Sequence, residues 1–285
     1  MSIFKTDDPL FDYDTYLFGR THQVFRGPMP DLRHPYIVCL GSSHTFGRFT
    51  NYPFSSMVEQ DVGKPVINFG TEGVGPGFFI SDPDILHVAN GAKLVIIEAM
   101  SARPLSNRMY MVRARRNERL AKPSSLLRGL YPDVDFRQFS GVAGMLDVLY
   151  ETDPERFRLL ENEMQNAWIG RMQSLLNEIV VPKILFWFAE REPDQTPGRD
   201  APPKAWGYPH FVDGAMIDSV RMMTDRYVEC ISSEGLPQDL TQSGKPVLFQ
   251  PTGRAITTNR ALPSPEMHLL AADELRPAIS RLLRG

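Results

Sequence analysis

The run Tyr36-Ile37-Val38-Cys39-Leu40-Gly41-Ser42-Ser43-His44-Thr45-Phe46-Gly47 decides the fold. A short apolar segment ends abruptly in glycine, small hydroxyl residues and a histidine, as a buried strand does where it enters a loop. In open α/β sheets, ligands bind beyond the carboxyl ends of the strands. This run therefore predicts a buried strand and, directly after it, the loop beside which a functional site would lie.

The rest of the chain repeats apolar strand patterns and helical patterns in alternation. Further strands are predicted at 65–69, 94–97, 183–188 and 246–249, and helices at 53–62, 78–90, 156–179, 212–232 and 263–283. Strand, helix, strand, helix and strand within residues 36–97 indicate right-handed crossovers and a parallel sheet. Residues 1–33 are predicted to be an arm that packs on a single domain spanning 34–285. Proline, aspartate and glycine at 190–209 indicate a long surface loop or lid.

The composition excludes several classes of protein. The 285 residues are 42% hydrophobic and 23% charged, which is typical of a soluble globular protein. A net charge of −3 disfavours a nucleic-acid partner, because proteins that bind the phosphate backbone carry a basic surplus. The chain has no run of ~18 apolar residues and no signal-peptide pattern, so we expect no membrane span and a cytoplasmic location.

Cysteine and histidine usage gives no sign of a disulfide scaffold or a metal. The two cysteines are too few for such a scaffold, and Cys39 is predicted to be a buried hydrophobic residue rather than a reactive thiol. His34, His87 and His210 lack the spacing of metal ligands. No metal and no cofactor are predicted.

A segment with six arginines, 101–120, follows the third strand. One interpretation is a solvated face with salt bridges. The other is an anion-binding loop at the mouth of the sheet, since the guanidinium fork matches carboxylate, sulfate and phosphate oxygens. Arg103 and Arg108 are the candidates for binding an anionic part of a substrate, together with His44 in the first loop.

The strand-end loops resemble those of the SGNH (GDSL-type) hydrolase superfamily, whose serine lies in a Gly-Asp-Ser-x-Ser/Thr loop. Gly41-Ser42-Ser43-His44-Thr45 matches that loop and puts Ser43 in the place of the nucleophile. Gly73, or Gly70, matches the oxyanion glycine after the second strand. His268, in the segment 265–269, matches the base at the start of the last helix.

The resemblance implies both a fold and a chemistry. The fold is a flavodoxin-like three-layer α/β sandwich with a central parallel sheet of about five strands. A serine hydroxyl becomes an effective nucleophile when a histidine accepts its proton, and one oxyanion donor contributes about 3 kcal/mol. The function implied is a serine ester hydrolase or O-acyltransferase acting on a small or carbohydrate-linked ester. A closer likeness, carried by GSSHTFGRF at 41–49, is to an uncharacterised bacterial family of SGNH-like proteins.

The sequence departs from the superfamily at three positions. Ser42 stands where the superfamily has aspartate, and Pro265 replaces the aspartate three residues before the histidine. Glu266 is left to orient His268. Asn107 is the nearest substitute for the oxyanion asparagine that should follow the third strand.

These departures keep other functions open. One is a binding or assembly protein that has lost catalysis. Another is a transferase for sulfate or a similar anionic group, although no P-loop pattern occurs. Each residue also has a structural alternative: Ser43 as a helix cap, His44 as a partner of a backbone carbonyl, His268 as a surface helix residue, and the glycines as positive-φ turn positions. A homo-oligomer is left open.

Overall fold

A computed structural model describes residues 11–20, 23–29, 31–113, 116–198, 201–242, 245–249 and 254–284. Only the backbone is described at 116–117, 242, 245–249 and 254–255. Residues 1–10, 21–22 and 30 of the predicted arm and 199–200 of the predicted loop lie outside this set.

Strands and helices alternate through the first two thirds of the chain. The strands are β1 Tyr16–Phe18, β2 Gln23–Phe25, β3 Ile37–Gly41, β4 Val66–Gly70, β5 Leu94–Glu98, β6 Tyr110–Arg113, β7 Arg116–Pro123, β8 Lys183–Ala189, β9 Arg226–Ile231, β10 Gln238–Asp239, β11 Thr241–Gln242, β12 Lys245–Phe249, β13 Arg254–Ile256 and β14 Thr258–Asn259. The helices are α1 Ser43–Phe46, α2 Phe54–Val62, α3 Pro76–Ile80, α4 Pro83–Gly91, α5 Ser125–Leu130, α6 Val142–Thr152, α7 Pro154–Glu178, α8 Gly214–Arg221 and α9 Pro265–Arg284. Two 3₁₀ turns lie at Phe136–Gln138 and Pro203–Trp206.

The central sheet has five parallel strands in the order β4-β3-β5-β8-β9. In sheet numbering this is 2-1-3-4-5, the flavodoxin-like order. Every residue of β3, β4 and β5 is buried, as expected of parallel strands covered on both faces. The predicted fold class, an α/β sandwich around a parallel sheet of about five strands, is confirmed.

Alternate residues of the strands face two separate cores. Ile37 and Cys39 of β3 pack with α2 and α9 on one side. Val38 and Leu40 pack on the other side, where residues of α3, α4, α6, α7 and α8 complete a larger core. Cys39 is fully buried and burial raises its pKa, which agrees with the prediction of a structural rather than a reactive thiol.

One prediction for the second half of the chain is wrong, and another is right only in part. The helix predicted at 212–232 ends at Arg221, and its second part is β9, the fifth strand of the central sheet. The strand predicted at 246–249 is present as β12, but it belongs to a small antiparallel sheet formed by β11, β12 and β13 and is not the fifth strand of the central sheet. The strand β9 was missed because it is an edge strand, in which only Cys230 is buried, so its polar residues break the apolar pattern.

Helix ends follow the local sequence. The helix α2 ends at Gly63, whose φ of 60° is the left-handed conformation that favours glycine. The last helix, α9, contains Pro277 and runs on to Arg284, so the proline does not interrupt it. No helix in the described part of the chain is long and apolar enough to cross a bilayer.

Two hairpins lie against the sandwich. The arm contributes the hairpin β1–β2, whose Phe18 and Phe25 rings contact Phe69 of β4 at centroid distances of 5.3 and 4.9 Å. The arginine-rich segment forms the antiparallel hairpin β6–β7 rather than an irregular loop. The arrangement as a single domain stays a prediction.

Candidate functional site

The site lies at the carboxyl ends of β3 and β5, where the strand order reverses. The chain passes from β3 to β4 on one side and then crosses to β5 on the other. The crevice between the ends of β3 and β5 is the position at which open α/β sheets bind ligands. Ser42 follows β3 and Glu98 ends β5, and the two residues meet across this crevice.

Ser42 and Ser43 occupy different positions at the start of α1. Ser42 is the N-cap, and its hydroxyl accepts a hydrogen bond from the backbone N–H of His44 at 3.2 Å. Ser43 is the first helical residue, and its hydroxyl makes no hydrogen bond within the described residues. The capping role that was the alternative for Ser43 therefore belongs to its neighbour.

The carboxylate of Glu98 is the centre of the site. It is 1% exposed and accepts five hydrogen bonds. Ser42 donates its N–H at 2.9 Å and its hydroxyl at 2.7 Å. Thr45 donates its N–H at 3.1 Å and also its hydroxyl, and the Tyr208 hydroxyl completes the set. A buried carboxylate without a paired cation is tolerated only when its oxygens are hydrogen-bonded in this way.

His44 is buried beside this network. Its ring lies 3.6 Å from the ring of Tyr208, and its Nδ1 lies 3.1 Å from the carbonyl oxygen of Phe188. Because a carbonyl can only accept, Nδ1 carries a proton. Burial lowers the pKa of His44, and the nearby Glu98 carboxylate acts in the opposite direction. This environment matches the structural alternative for His44, a partner of a backbone carbonyl.

A cavity of about 170 Å³ opens next to His44. Its polar lining comes from His44, Glu190, Arg191 and Tyr208. The segment before α9 adds Ala261 and Pro263, and α9 itself adds Met267. Ser43 is not among the lining residues. The volume suits a molecule of a few non-hydrogen atoms.

His268 is fully buried in the second turn of α9. Its Nδ1 accepts the backbone N–H of Phe54 at 3.2 Å, and burial lowers its pKa to about 3. The ring is therefore neutral at physiological pH, with its lone pair on Nδ1 in use and its proton on Nε2. The Nε2 atom has no hydrogen-bond partner in the described structure. A ring in this tautomer cannot accept a proton from Ser43.

The His268 environment predicts an acid-sensitive fold. Its pKa of about 3 lies below the unfolded value of about 6.5, so the unfolded chain binds a proton that the native ring refuses. As the pH is lowered from 6.5 to 3, His268 alone should reduce the free energy of unfolding by about 1.4 kcal/mol per pH unit. We expect His268→Asn, which keeps an acceptor for Phe54, to flatten this slope in urea titrations. The exposed His87→Asn is the control.

Nitrogen-15 NMR of the imidazole tests the same assignment directly. Between pH 5 and 8 the His268 signals should stay those of a neutral ring protonated on Nε2. A ring that titrates near pH 6.5, or one protonated on Nδ1, would contradict the assignment.

Two further predicted site residues are Glu266, which was expected to orient His268, and Gly70, which was expected to donate to an oxyanion. Both make other contacts. Glu266 lies against Gly235, where a Cβ would collide with its carboxylate, and it does not hydrogen-bond to His268. The N–H of Gly70 donates to the Asn68 side chain at 2.8 Å. Gly70 therefore has no free amide for an oxyanion.

Gly73 lies under the carboxylate of Glu118 from β7. Its φ of 68° favours glycine, and a Cβ there would also collide with Glu118. Glu72, the residue before it, pairs with Arg48 at 3.4 Å. Burial raises the pKa of Glu72, with Arg48 opposing and Glu118 adding to the effect. The predicted oxyanion position thus faces negative charge.

Three residues of the 101–120 segment were predicted to act at the site. Asn107 is a turn residue: its Oδ1 accepts from the N–H groups of Met109 and Tyr110, and its Nδ2 donates to a carbonyl. Arg108 is exposed and forms an ion pair with Glu163 of α7. Arg103 is half-buried; its carbonyl accepts from the Tyr110 hydroxyl at 2.8 Å, but its guanidinium makes no hydrogen bond or ion pair within the part of the chain that is described.

Comparison with known proteins identifies the family. Residues 1–283 match the family described as Domain of unknown function (DUF6473). The chain belongs to this family. The relation expected from residues 41–49 is thereby confirmed, and a search of curated proteins finds no match for this DUF6473 chain.

Several solved structures are similar to the DUF6473 chain. A catalytic mutant of Axe2, an acetylxylan esterase from Geobacillus stearothermophilus, is 13% identical with a TM-score of 0.41, covering 87% of this chain and 94% of its own. A carbohydrate esterase family 2 enzyme from Corynascus thermopiles is 10% identical with a TM-score of 0.41, at 91% and 70% coverage. A family two carbohydrate esterase from Clostridium thermocellum is 11% identical with a TM-score of 0.40, at 92% and 67% coverage.

The DUF6473 site contains residues that the sequence analysis missed. Glu98 directly follows the strand predicted at 94–97, and a carboxylate at that position was a usable signal. Tyr208 reaches the site from the 190–209 loop. His210 follows it, and its Nδ1 lies 3.2 Å from the hydroxyl of Ser101. Burial lowers the pKa of His210 to about 3, with Arg103 the next cause.

The described residues of this DUF6473 chain contain no group of three or more histidine, cysteine, aspartate or glutamate side chains that could hold a metal ion.

Proposed function

We propose that this chain is a binding protein on an SGNH-like scaffold and that its ligand is a small molecule with a carboxylate, sulfate or phosphate group. Arg103 is the observation that carries the proposal. Burial lowers the pKa of its guanidinium, while Tyr110, Asp147, Glu118 and Tyr208 act in the opposite direction from a distance.

An unpaired cation in a partly buried position is unfavourable, because it has lost hydration without gaining a partner. A ligand anion would supply that partner through the two-pronged hydrogen bonding of a guanidinium. Arg103 also lies within electrostatic range of Tyr208, which lines the 170 Å³ cavity. The cavity and the arginine therefore adjoin the same loop.

The same geometry gives little support to hydrolysis. The His268 lone pair that would take the Ser43 proton is used by Phe54. Gly70 has no free amide, and Gly73 faces Glu118. Catalysis through Ser43, His268 and Glu266 would need a rearrangement of the two helices that carry them, α1 and α9.

A titration with sodium sulfate at low ionic strength tests the proposal. We expect the Nε–H NMR signal of Arg103 to shift and the Arg108 signal to stay in place, because Arg108 is already paired. Arg103→Gln should weaken sulfate binding at least tenfold. Arg108→Gln is the matched control. An unshifted Arg103 signal at saturating sulfate, acetate and phosphate would rule the proposal out.

The second candidate function is a serine ester hydrolase or O-acyltransferase on a small or carbohydrate-linked ester. The observation that favours it is the place of Ser43, at the first turn after a central strand with its hydroxyl unengaged. A fluorophosphonate probe separates the two candidates. We expect no labelling of the native protein. Labelling that disappears in Ser43→Ala and in His268→Asn would replace the binding proposal with the esterase.

A further inference from the structure

A groove with a basic rim lies between the β6–β7 hairpin and the segment from α5 to the 3₁₀ turn at Phe136–Gln138. Its volume is about 620 Å³, larger than the cavity beside His44. Leu120, Pro123, Phe136 and Phe139 supply its apolar lining. Backbone hydrogen bonding joins the two walls, since the N–H of Leu120 donates to the carbonyl of Ser140 at 3.2 Å.

The rim of this groove is basic. Arg113, Arg119 and Lys122 come from the hairpin, and Arg128 and Arg137 from the opposite wall. Arg137 is paired with Asp135 at 2.9 Å. The other four have no ion pair within the described residues, and no acidic residue lines the groove. Four uncompensated cations gathered in a protein of net charge −3 form a local positive field.

We propose that this groove binds a short ligand that carries several sulfate, phosphate or carboxylate groups. Cations on both walls can contact anionic groups that lie several ångströms apart, whereas a single arginine can bind only one anionic group. The volume lies in the range of drug-sized ligands, comparable to a di- or trisaccharide. The aromatic side chains give the ligand an apolar surface to lie on.

The observations favour a short ligand over a nucleic acid. Binding to a nucleic-acid backbone rests on a long basic surface and usually on an overall basic surplus. This chain has a pI near 6.1, and among its described residues the groove cations without an ion pair number four. The inference does not depend on the proposed function, because Arg103 does not line the groove.

Isothermal titration of the whole chain with tripolyphosphate, a sulfated disaccharide and trigalacturonate tests the proposal at 25 mM salt. The probe that binds most tightly identifies the anionic group. Binding should weaken strongly at 250 mM salt, because the contacts are exposed and screened.

Charge reversal then locates the site. We expect Arg119→Glu with Lys122→Glu to weaken binding of the tightest probe at least tenfold. Lys93→Glu with Arg281→Glu changes exposed cations outside the groove by the same total charge and should leave affinity within twofold. Arg103→Gln should also leave it unchanged, which separates this site from the first. Circular dichroism melting establishes that both double variants fold.

Three results would overturn the proposal. One is that none of the three probes binds the native chain at 25 mM salt. Another is that the two double variants lose affinity equally, which would make the effect one of net charge. The third is that a 20-nucleotide single strand binds more tightly than every small probe, which would make the groove a nucleic-acid site.

Discussion

Replacing Glu98 with alanine should cost on the order of 5 kcal/mol of unfolding free energy, which is as much as many domains possess. The substitution would leave five donors from Ser42, Thr45 and Tyr208 facing a buried void. Each orphaned buried donor costs about 1–3 kcal/mol, and the costs do not add fully because the site can relax or admit water. The loss is expected to be among the largest of any single side chain.

Glu98→Gln refines this expectation. The amide is similar in size but presents an N–H₂ group where a carboxylate oxygen accepts, so some donors would face another donor. We expect a loss of about 2–3 kcal/mol, intermediate between the native protein and the alanine variant. Urea titration measures all three proteins. Glu151→Ala, on the exposed face of α6, is the control and should change stability by less than about 0.5 kcal/mol.

One result would contradict the prediction for Glu98. If the alanine variant unfolds within 1 kcal/mol of the native protein, the carboxylate does not hold α1, β5 and Tyr208 together. The hydrogen bonds of Glu98 across the crevice would then contribute little to the stability of the fold.

Arg26 gives the second large effect. The residue is 5% exposed, and its guanidinium donates to the carbonyls of Phe46, Gly47, Thr50 and Asn51 at 3.4, 2.7, 3.0 and 2.8 Å. These carbonyls lie at the end of α1 and in the loop that follows, where no helical N–H can reach them. Burial lowers the pKa of Arg26 to about 10, so it stays charged at neutral pH.

Arg26→Met should destabilise the protein by about 3–4 kcal/mol, because the apolar chain remains while four carbonyls, three of them in buried residues, lose this donor. Arg26→Lys should recover little, since one ammonium cannot reproduce the planar fork. Hydrogen exchange should accelerate first in residues 47–53. Arg33→Met, at an exposed arginine paired with Asp31, is the control. Exchange that quickens evenly over the chain would contradict a local anchoring role.

The sequence predicts the parts of the fold that are buried on both faces. The apolar runs of β3, β4, β5 and β8 are unmistakable because a parallel strand has no solvated side. The edge strand β9 lacks that pattern and was predicted as helix. Nothing local in residues 226–231 distinguishes a charged edge strand from the end of an amphipathic helix.

The candidate site was predictable in place but not in composition. The loop after β3 is where the sequence indicates it, because strand-end glycine and hydroxyl residues are a local signal. The Tyr208–Glu98 contact joins residues far apart in the chain, and only the tertiary structure brings them together. The burial of His268, however, could have been predicted from the sequence. It lies in register with Ala271, Ala272 and Leu275 on the buried face of α9.

The edge strand β9 also affects how the protein behaves when crowded. An uncovered strand edge invites another chain to add to the sheet, and such addition begins many aggregates. Arg226 and Glu229 are exposed on β9, and both would lose hydration if a second strand docked there. The polar residues that made β9 difficult to predict as a strand therefore also act as gatekeepers, because they oppose the addition of another strand to the sheet.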